Sequence, residues 1–391
     1  AAAEPVRRGL VRAAALAAAL CGASALAAQA PPPPERTYSV WVASEAVDRL
    51  ALVRFGPGGA RVEREVPVGR NVLDPDGPHG VDVSPDGARL YVSTGHGTPF
   101  GDLWVLSAAG DQVLGRVTLG NFPATLQVSP DGAFAYVVNF NLHGEHVPSS
   151  LSVVSTDPLV EVARIPTCTM PHGSRLSADG ARHYSACMMD DLLVEVDTRT
   201  FGVARHFRLT RGAELGMQGA PPPAAPGGAP ADHGGHGMSA PPPGEAVCSP
   251  TWAQPSPDDT RVWVACNRSS EIVEVDVAAW RMVRRIPAGE GVYNLAVTSD
   301  GALLVATNKR GQSVSLIDTR TGRELARIPT LRRVVHGVAI SPDDRYAFIS
   351  VEGVGSEPGT VEVIDLRARQ RVASVDVGPM AGGIDVWKVE P

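Results

Sequence analysis

Ser129-Pro130-Asp131-Gly132-Ala133-Phe134-Ala135-Tyr136-Val137-Val138-Asn139 reads as a tight turn feeding a β-strand. Pro, Asp and Gly suit the turn, and the run after them is rich in β-branched and aromatic side chains. Similar text recurs at turn residues Ser84, Ser129, Ser177, Ser256, Thr298 and Ser341, with spacings of 45, 48, 79, 42 and 43. The long spacing contains an insertion, residues 210–246, built of Pro-Pro-Pro, Gly-Gly and Ala. A period of about 40–45 residues with four strands per unit predicts a propeller blade. Six turns give six blades, and residues 39–66 with the C-terminal strand 383–389 give a seventh. The expected fold is therefore all-β, a seven-bladed β-propeller of four-stranded blades, closed by pairing of the two ends of the chain.

Composition agrees with many short strands and tight turns: Gly 41, Pro 34 and only 5% aromatics in 391 residues. The formal charge is −7 with no basic stripe. That excludes nucleic acid as the expected partner, because phosphate binding needs clustered Lys and Arg. Residues 1–27 read as a signal peptide. Arg7, Arg8 and Arg12 precede an apolar run, and Ala25-Leu26-Ala27 supplies the cleavage site. The run is too short to span a bilayer. Arg7-Arg8 also resembles a twin-arginine export signal. Residues 28–37 form a Pro-rich linker, and 38–391 the single propeller domain. Losing the leader removes three Arg and one Glu, moving the charge from −7 to −9. A periplasmic or secreted chain with no transmembrane segment is expected. It keeps four cysteines, an even number in an oxidising compartment.

The repeat text resembles the YVTN-repeat (YncE-like) β-propeller family: Ser129-Pro130-Asp131-Gly132 with Tyr136-Val137-Val138-Asn139, and Val314-Ser315-Leu316-Ile317-Asp318 with Thr321-Gly322. The likeness runs over residues 38–390 and implies a seven-bladed propeller. It implies no single function, since the family includes surface, binding and enzymatic members.

In such a blade the innermost strand lines the channel. The Ser-Pro-Asp-Gly turns lie on one face, called here the lower, and the other loops on the upper face. His79, His172 and His336 each stand five positions before their turn residue, so they are equivalents at the channel mouth. Tyr293, Thr251 and Ala124 hold that position in three other blades. His96, His143, His146, Cys168, Met170, Cys187, Met188, Met189, Cys248, Cys266 and Met380 fall on neighbouring upper loops. The insertion carries His233, His236 and Met238 and is expected as a loop above the same funnel, a convergent place for a ligand.

Folding each hairpin about its turn sets Cys168 opposite Cys187 and Cys248 opposite Cys266. Two readings follow: two disulfides pinning the blades, or thiolate ligands at the rim. Imidazole with thioether points to copper, so His79, His172 and His336 are the expected core metal ligands. Met170, Met188, Met189, Cys168 and Cys187 are soft partners, and His233, His236 and Met238 capture or deliver the ion. Tyr293, Arg175, Arg333, His143 and His146 are candidates for contact with a small-molecule, metal or protein partner at the upper face. Nitrous oxide reductase is similar in having a seven-bladed propeller with a histidine-bound copper cluster at its channel mouth, but this chain offers fewer channel histidines. An oxidoreductase or copper-handling protein is the first functional expectation. A non-catalytic binding propeller with two structural disulfides is the second, and a lactonase-like hydrolase using Asp190, Asp191 or Glu352 the third.

Overall fold

A computed structural model describes residues 31–70, 74–96, 100–222 and 247–391, and Pro33–Pro391 forms one unit. The turn motif shows why the repeat works. Each turn hydroxyl donates to the carboxylate two residues on: Ser84 to Asp86, Ser129 to Asp131, Ser177 to Asp179, Ser256 to Asp258, Thr298 to Asp300 and Ser341 to Asp343, all at 2.5–2.7 Å. The same oxygen accepts a backbone N–H five residues on, for example Phe134 N to Ser129 Oγ at 3.0 Å. One hydroxyl thus closes the turn and starts the returning strand.

Each of the six turns joins the first two strands of an antiparallel sheet; the described residues form seven such sheets, six of four strands and one of five. Innermost strands run Ala381–Glu390 for blade 1, then Pro78–Val83, Pro123–Val128, Pro171–Leu176, Pro250–Pro255, Val292–Val297 and Val335–Ile340 for blades 2 to 7. The expected closure is present. Blade 1 joins Ala381–Glu390 to Thr37–Ser44, with Tyr38 opposite Val389 and Trp41 opposite Asp385. Apolar faces of adjacent sheets interlock. Tyr136, Val138, Leu151 and Val153 of blade 3 pack with Leu176, Val194 and Val196 of blade 4 in one buried cluster.

At the axis the blades are tied at one level. Hydroxyls of Ser93, Thr125, Thr251, Thr307 and Ser350 donate to the carbonyls of Ala124, His172, Tyr293, His336 and Gly382 in the next blade. The glycine after each channel histidine permits this approach. A Cβ on Gly173 would sit 2.2 Å from the Thr251 carbonyl oxygen.

Two expectations change. Cys168 does bond Cys187, and Cys248 bonds Cys266. Cys168, however, belongs to the outer strand of blade 3, Leu159–Thr169, so its bridge ties blade 3 to blade 4 rather than closing one hairpin. Met170 alone separates that strand from Pro171–Leu176, which leaves no slack for a separate connection. With their sulfurs bonded to each other, Cys168 and Cys187 are not thiolate ligands. The insertion also starts elsewhere than expected. Leu215–Gln218 adds a fifth strand to the outer edge of blade 4, with Met217 opposite His206, so its first part runs down the rim instead of over the mouth. His233, His236 and Met238, and the leader with Cys21, lie outside the described residues. No helix among the described residues is long and apolar enough to cross a membrane.

Candidate functional site at the upper channel mouth

His79, His172, Tyr293 and His336 meet in a closed tier of four rings. Centroid separations are 5.9 Å for His79–His172, 5.3 Å for His172–Tyr293, 4.9 Å for Tyr293–His336 and 5.5 Å for His336–His79. Rings from non-adjacent blades reach one another because the blades between present Ala124, Thr251 and Gly382 at the same level. All four are buried.

Hydrogen bonds orient the tier. His172 Nδ1–H donates to the Thr251 carbonyl at 2.9 Å, so its Nε2 accepts the Tyr293 hydroxyl at 3.0 Å. Burial holds His172 neutral, pushing its pKa down to about 3. Burial, followed by the nearby Lys309 charge, also holds His336 well below the ordinary value. Burial pushes the Tyr293 phenol up. His79 Nδ1 faces Glu45 Oε2 at 3.3 Å.

Above the tier sits a charged layer, of which the sequence offered His96, His143 and Glu352 but not Glu45 or Lys309. Glu45 takes His96 Nε2 at 2.5 Å, and His96 Nδ1 meets His143 Nε2 at 3.1 Å. Burial works against the Glu45 carboxylate, yet His79 and His96 beside it hold its pKa well below the usual carboxylate range. The bond to Glu45 in turn raises His96. Lys309 pairs with Glu352 at 2.8 Å and lies over the Tyr293 ring at 4.3 Å. Despite burial, Glu352 holds Lys309 firmly as the ammonium. Glu45, Phe140, Met188, Asn267, Lys309 and Glu352 each follow directly on the second strand of their blade. Aligning that position across the repeat is the signal that would have found Glu45 and Lys309.

The opposite wall is apolar. Phe122, Ala124, Phe140, Met170 and Met188 form one buried cluster with Met189 packed on it, so these methionines serve as packing side chains here. The mouth is therefore two-sided, ionic on blades 6, 7, 1 and 2 and aromatic-thioether on blades 3 and 4.

Other candidates do not converge on it. Asp190 accepts Thr169 N at 2.6 Å, and Asp191 accepts Val247 N and Ser249 N at 2.7 and 2.8 Å. Both carboxylates are latches between blades, and Glu352 is paired with Lys309, so these three acids do not come together as the lactonase reading expected. Arg175 lies below the tier, its guanidinium 4.4 Å from the Trp252 ring centre. Arg333 is exposed at the rim, and His146 is partly exposed near His143. Among the described residues, no group of three or more His, Cys, Asp or Glu is arranged to hold a metal ion. Part of the reason is that the Tyr293 hydroxyl occupies His172 Nε2.

Two solved structures share the fold. Hydrazine synthase from Kuenenia stuttgartiensis is 22% identical with a TM-score of 0.59, over 78% of this chain and 88% of that one. A functionally unknown protein from Desulfotomaculum acetoxidans DSM 771 is 13% identical with a TM-score of 0.61, over 89% and 98%. The fold is a seven-bladed β-propeller. At these identities the likeness shows architecture alone. No protein-family model and no curated protein matches the chain.

An open depression of about 260 Å³ lies on the lower face between the turns of blades 6 and 7. Its acids are used structurally: Asp300 by Thr298, Asp343 by Ser341 and Asp344 by Ser299 N. At the upper mouth, by contrast, Glu45, His79, His96, Lys309 and Glu352 pair with one another around the channel axis.

Proposed function

We propose that this chain is an exported, non-catalytic ligand-binding propeller of the YVTN-repeat kind, which takes a small amphipathic ligand at its upper mouth. The observation that carries this reading is the two-sided mouth. A layer of buried Glu45 and Glu352 with half-buried Lys309 faces the Phe122, Phe140, Met170 and Met188 wall over a floor of four rings. Ligand sites combine an apolar lining with a few placed polar groups in this way. The polar groups hold one another in fixed protonation states, which suits binding better than proton transfer. Two disulfides fit export to an oxidising compartment, and the repeat text supports the family.

Native mass spectrometry of the full chain, purified without denaturation, tests the reading. A non-covalent adduct is expected on the wild type and none on a Glu45→Gln/Lys309→Met variant that melts cooperatively. A wild type without adduct, or an adduct unchanged in the variant, overturns it.

A copper-holding role is the second reading, favoured by one arrangement. Glu45 orients His79 through Nδ1, as carboxylates orient metal-binding imidazoles, and the His336 ring is 5.5 Å away. Copper loaded as Cu(I) and retained through dialysis by the wild type, but not by His79→Ala/His336→Ala, supports it. No retained metal refutes it.

A further inference from the structure

Three side chains of the upper face stand in a row, Glu45, His96 and His143, and each comes from the loop between the second and third strands of its blade, in blades 1, 2 and 3. Glu45 Oε1 holds His96 Nε2 at 2.5 Å, and His96 Nδ1 faces His143 Nε2 at 3.1 Å. Both imidazoles meet the same buried Phe122 ring at steep angles, with centroids 4.9 and 5.4 Å from it. The backbone fixes both from behind. His96 N donates to the Asp76 carbonyl at 2.8 Å, and the loop of His143 is closed by Asn141 Nδ2 donating to the Glu145 carbonyl at 2.9 Å.

The spacing of the two facing nitrogens suits a shared ion. A zinc-class ion binds imidazole nitrogen at about 2.0–2.1 Å. Two such nitrogens stand about 2.9 Å apart when they subtend a right angle at the ion, and about 3.3 Å apart at the tetrahedral angle. The 3.1 Å between His96 Nδ1 and His143 Nε2 falls between these values. An ion taking its two ligands in line would need about 4 Å and does not fit. In the hydrogen bond one proton lies between the nitrogens, whichever ring carries it. The ion takes that place and releases the proton to solvent, so the tautomer does not enter the argument.

Glu45 sets this pair apart from a bare hydrogen bond. A metal-bound imidazole typically gives its other ring nitrogen to a carboxylate, and Glu45 stands in that position on His96. The pair is also reachable, because His143 is exposed and the His96 side chain is 31% exposed. We propose that His96 and His143 form a two-histidine site for a divalent transition ion of the zinc class, with Glu45 as its orienting carboxylate. The protein supplies two ligands, and the remaining positions belong to water or to a ligand at the mouth. Magnesium and calcium seek oxygen and are not expected there. The site shares Glu45 with His79 but uses neither His79 nor His336, so it rests on neither reading of the mouth.

Zinc(II) is the probe, titrated calorimetrically into the metal-stripped full chain carrying His233→Ala/His236→Ala, which removes the histidines of the insertion. One saturable zinc per chain is expected, undiminished by excess magnesium. His143→Gln, at an exposed position, removes a ligand and should weaken zinc at least tenfold. Glu45→Gln keeps both ligands and should weaken it about tenfold. His336→Ala should leave it unchanged. Proton–nitrogen NMR of the imidazoles should show zinc shifting the ring nitrogens of His96 and His143. Absence of saturable zinc, or zinc binding indifferent to His143→Gln, overturns the proposal and leaves the contact a hydrogen bond only. Zinc lost in His336→Ala but kept in His143→Gln also overturns it, by placing the ion at the ring tier.

Discussion

His172 and His183 are both buried imidazoles, and their surroundings differ in one respect. His172 has both ring nitrogens bonded, whereas His183 stacks on Tyr136 with neither nitrogen partnered. Burial lowers both from the ordinary 6.5 to about 3. As pH falls below 6.5, the unfolded chain takes up protons that the folded chain refuses. Stability is therefore present in full above 6.5 and is lost towards pH 3, by about 1.4 kcal/mol per unit for each ring. Replacing His183 by Phe keeps the stacking and removes two unsatisfied atoms. Urea unfolding at pH 7 and pH 4.5 should show that His183→Phe is more stable than wild type by about 1–3 kcal/mol at neutral pH, with a shallower acid slope. Tyr293→Phe acts in the opposite sense. It leaves His172 Nε2 without its hydroxyl and should cost about 1–3 kcal/mol in the same assay.

At the scale of elements, the blade is specified twice, by its turn and by its glycine at the axis. The hydroxyl of Ser129 both donates to Asp131 and accepts Phe134 N. Ser129→Ala should cost about 1 kcal/mol per bond lost, measured by chemical denaturation. Gly173→Ala should cost more, about 1–3 kcal/mol, because its Cβ meets backbone of blade 5, which cannot yield as a side chain can. These features were legible in the chain because they repeat. The turn residues and the register of His79, His172 and His336 emerge from one alignment. Glu45 and Lys309 were missed, since the position after the second strand holds a different residue type in nearly every blade and only its register marks it. The Cys168–Cys187 pairing was legible, but not that it joins two blades. Strand Leu159–Thr169 runs on past the point where the repeat would have ended it.

Across the whole molecule, seven sheets close into a ring because Ala381–Glu390 pairs with Thr37–Ser44. Removing that C-terminal strand should expose a sheet edge in blade 1 and convert a cooperative melt into aggregation, visible by light scattering during a thermal ramp. Reduction should also act globally. Cys168–Cys187 and Cys248–Cys266 close loops with separations of 19 and 18 residues. The loss of each should lower stability by about 2–4 kcal/mol, measured with and without a thiol reductant.

The sequence by itself determined the blade, the number of blades, the closure of the ends and which cysteines pair. Each follows from local turn chemistry and a two-residue strand period, both of which repeat along the chain. Only the tertiary structure decided how the rings at the mouth stand to one another and what surrounds them. The His79–His336 separation and the Tyr293–His172 bond depend on the radius at which seven sheets close. At their level the small residues Ala124, Thr251 and Gly382 of the intervening blades, distant in the chain, leave the rings room to meet.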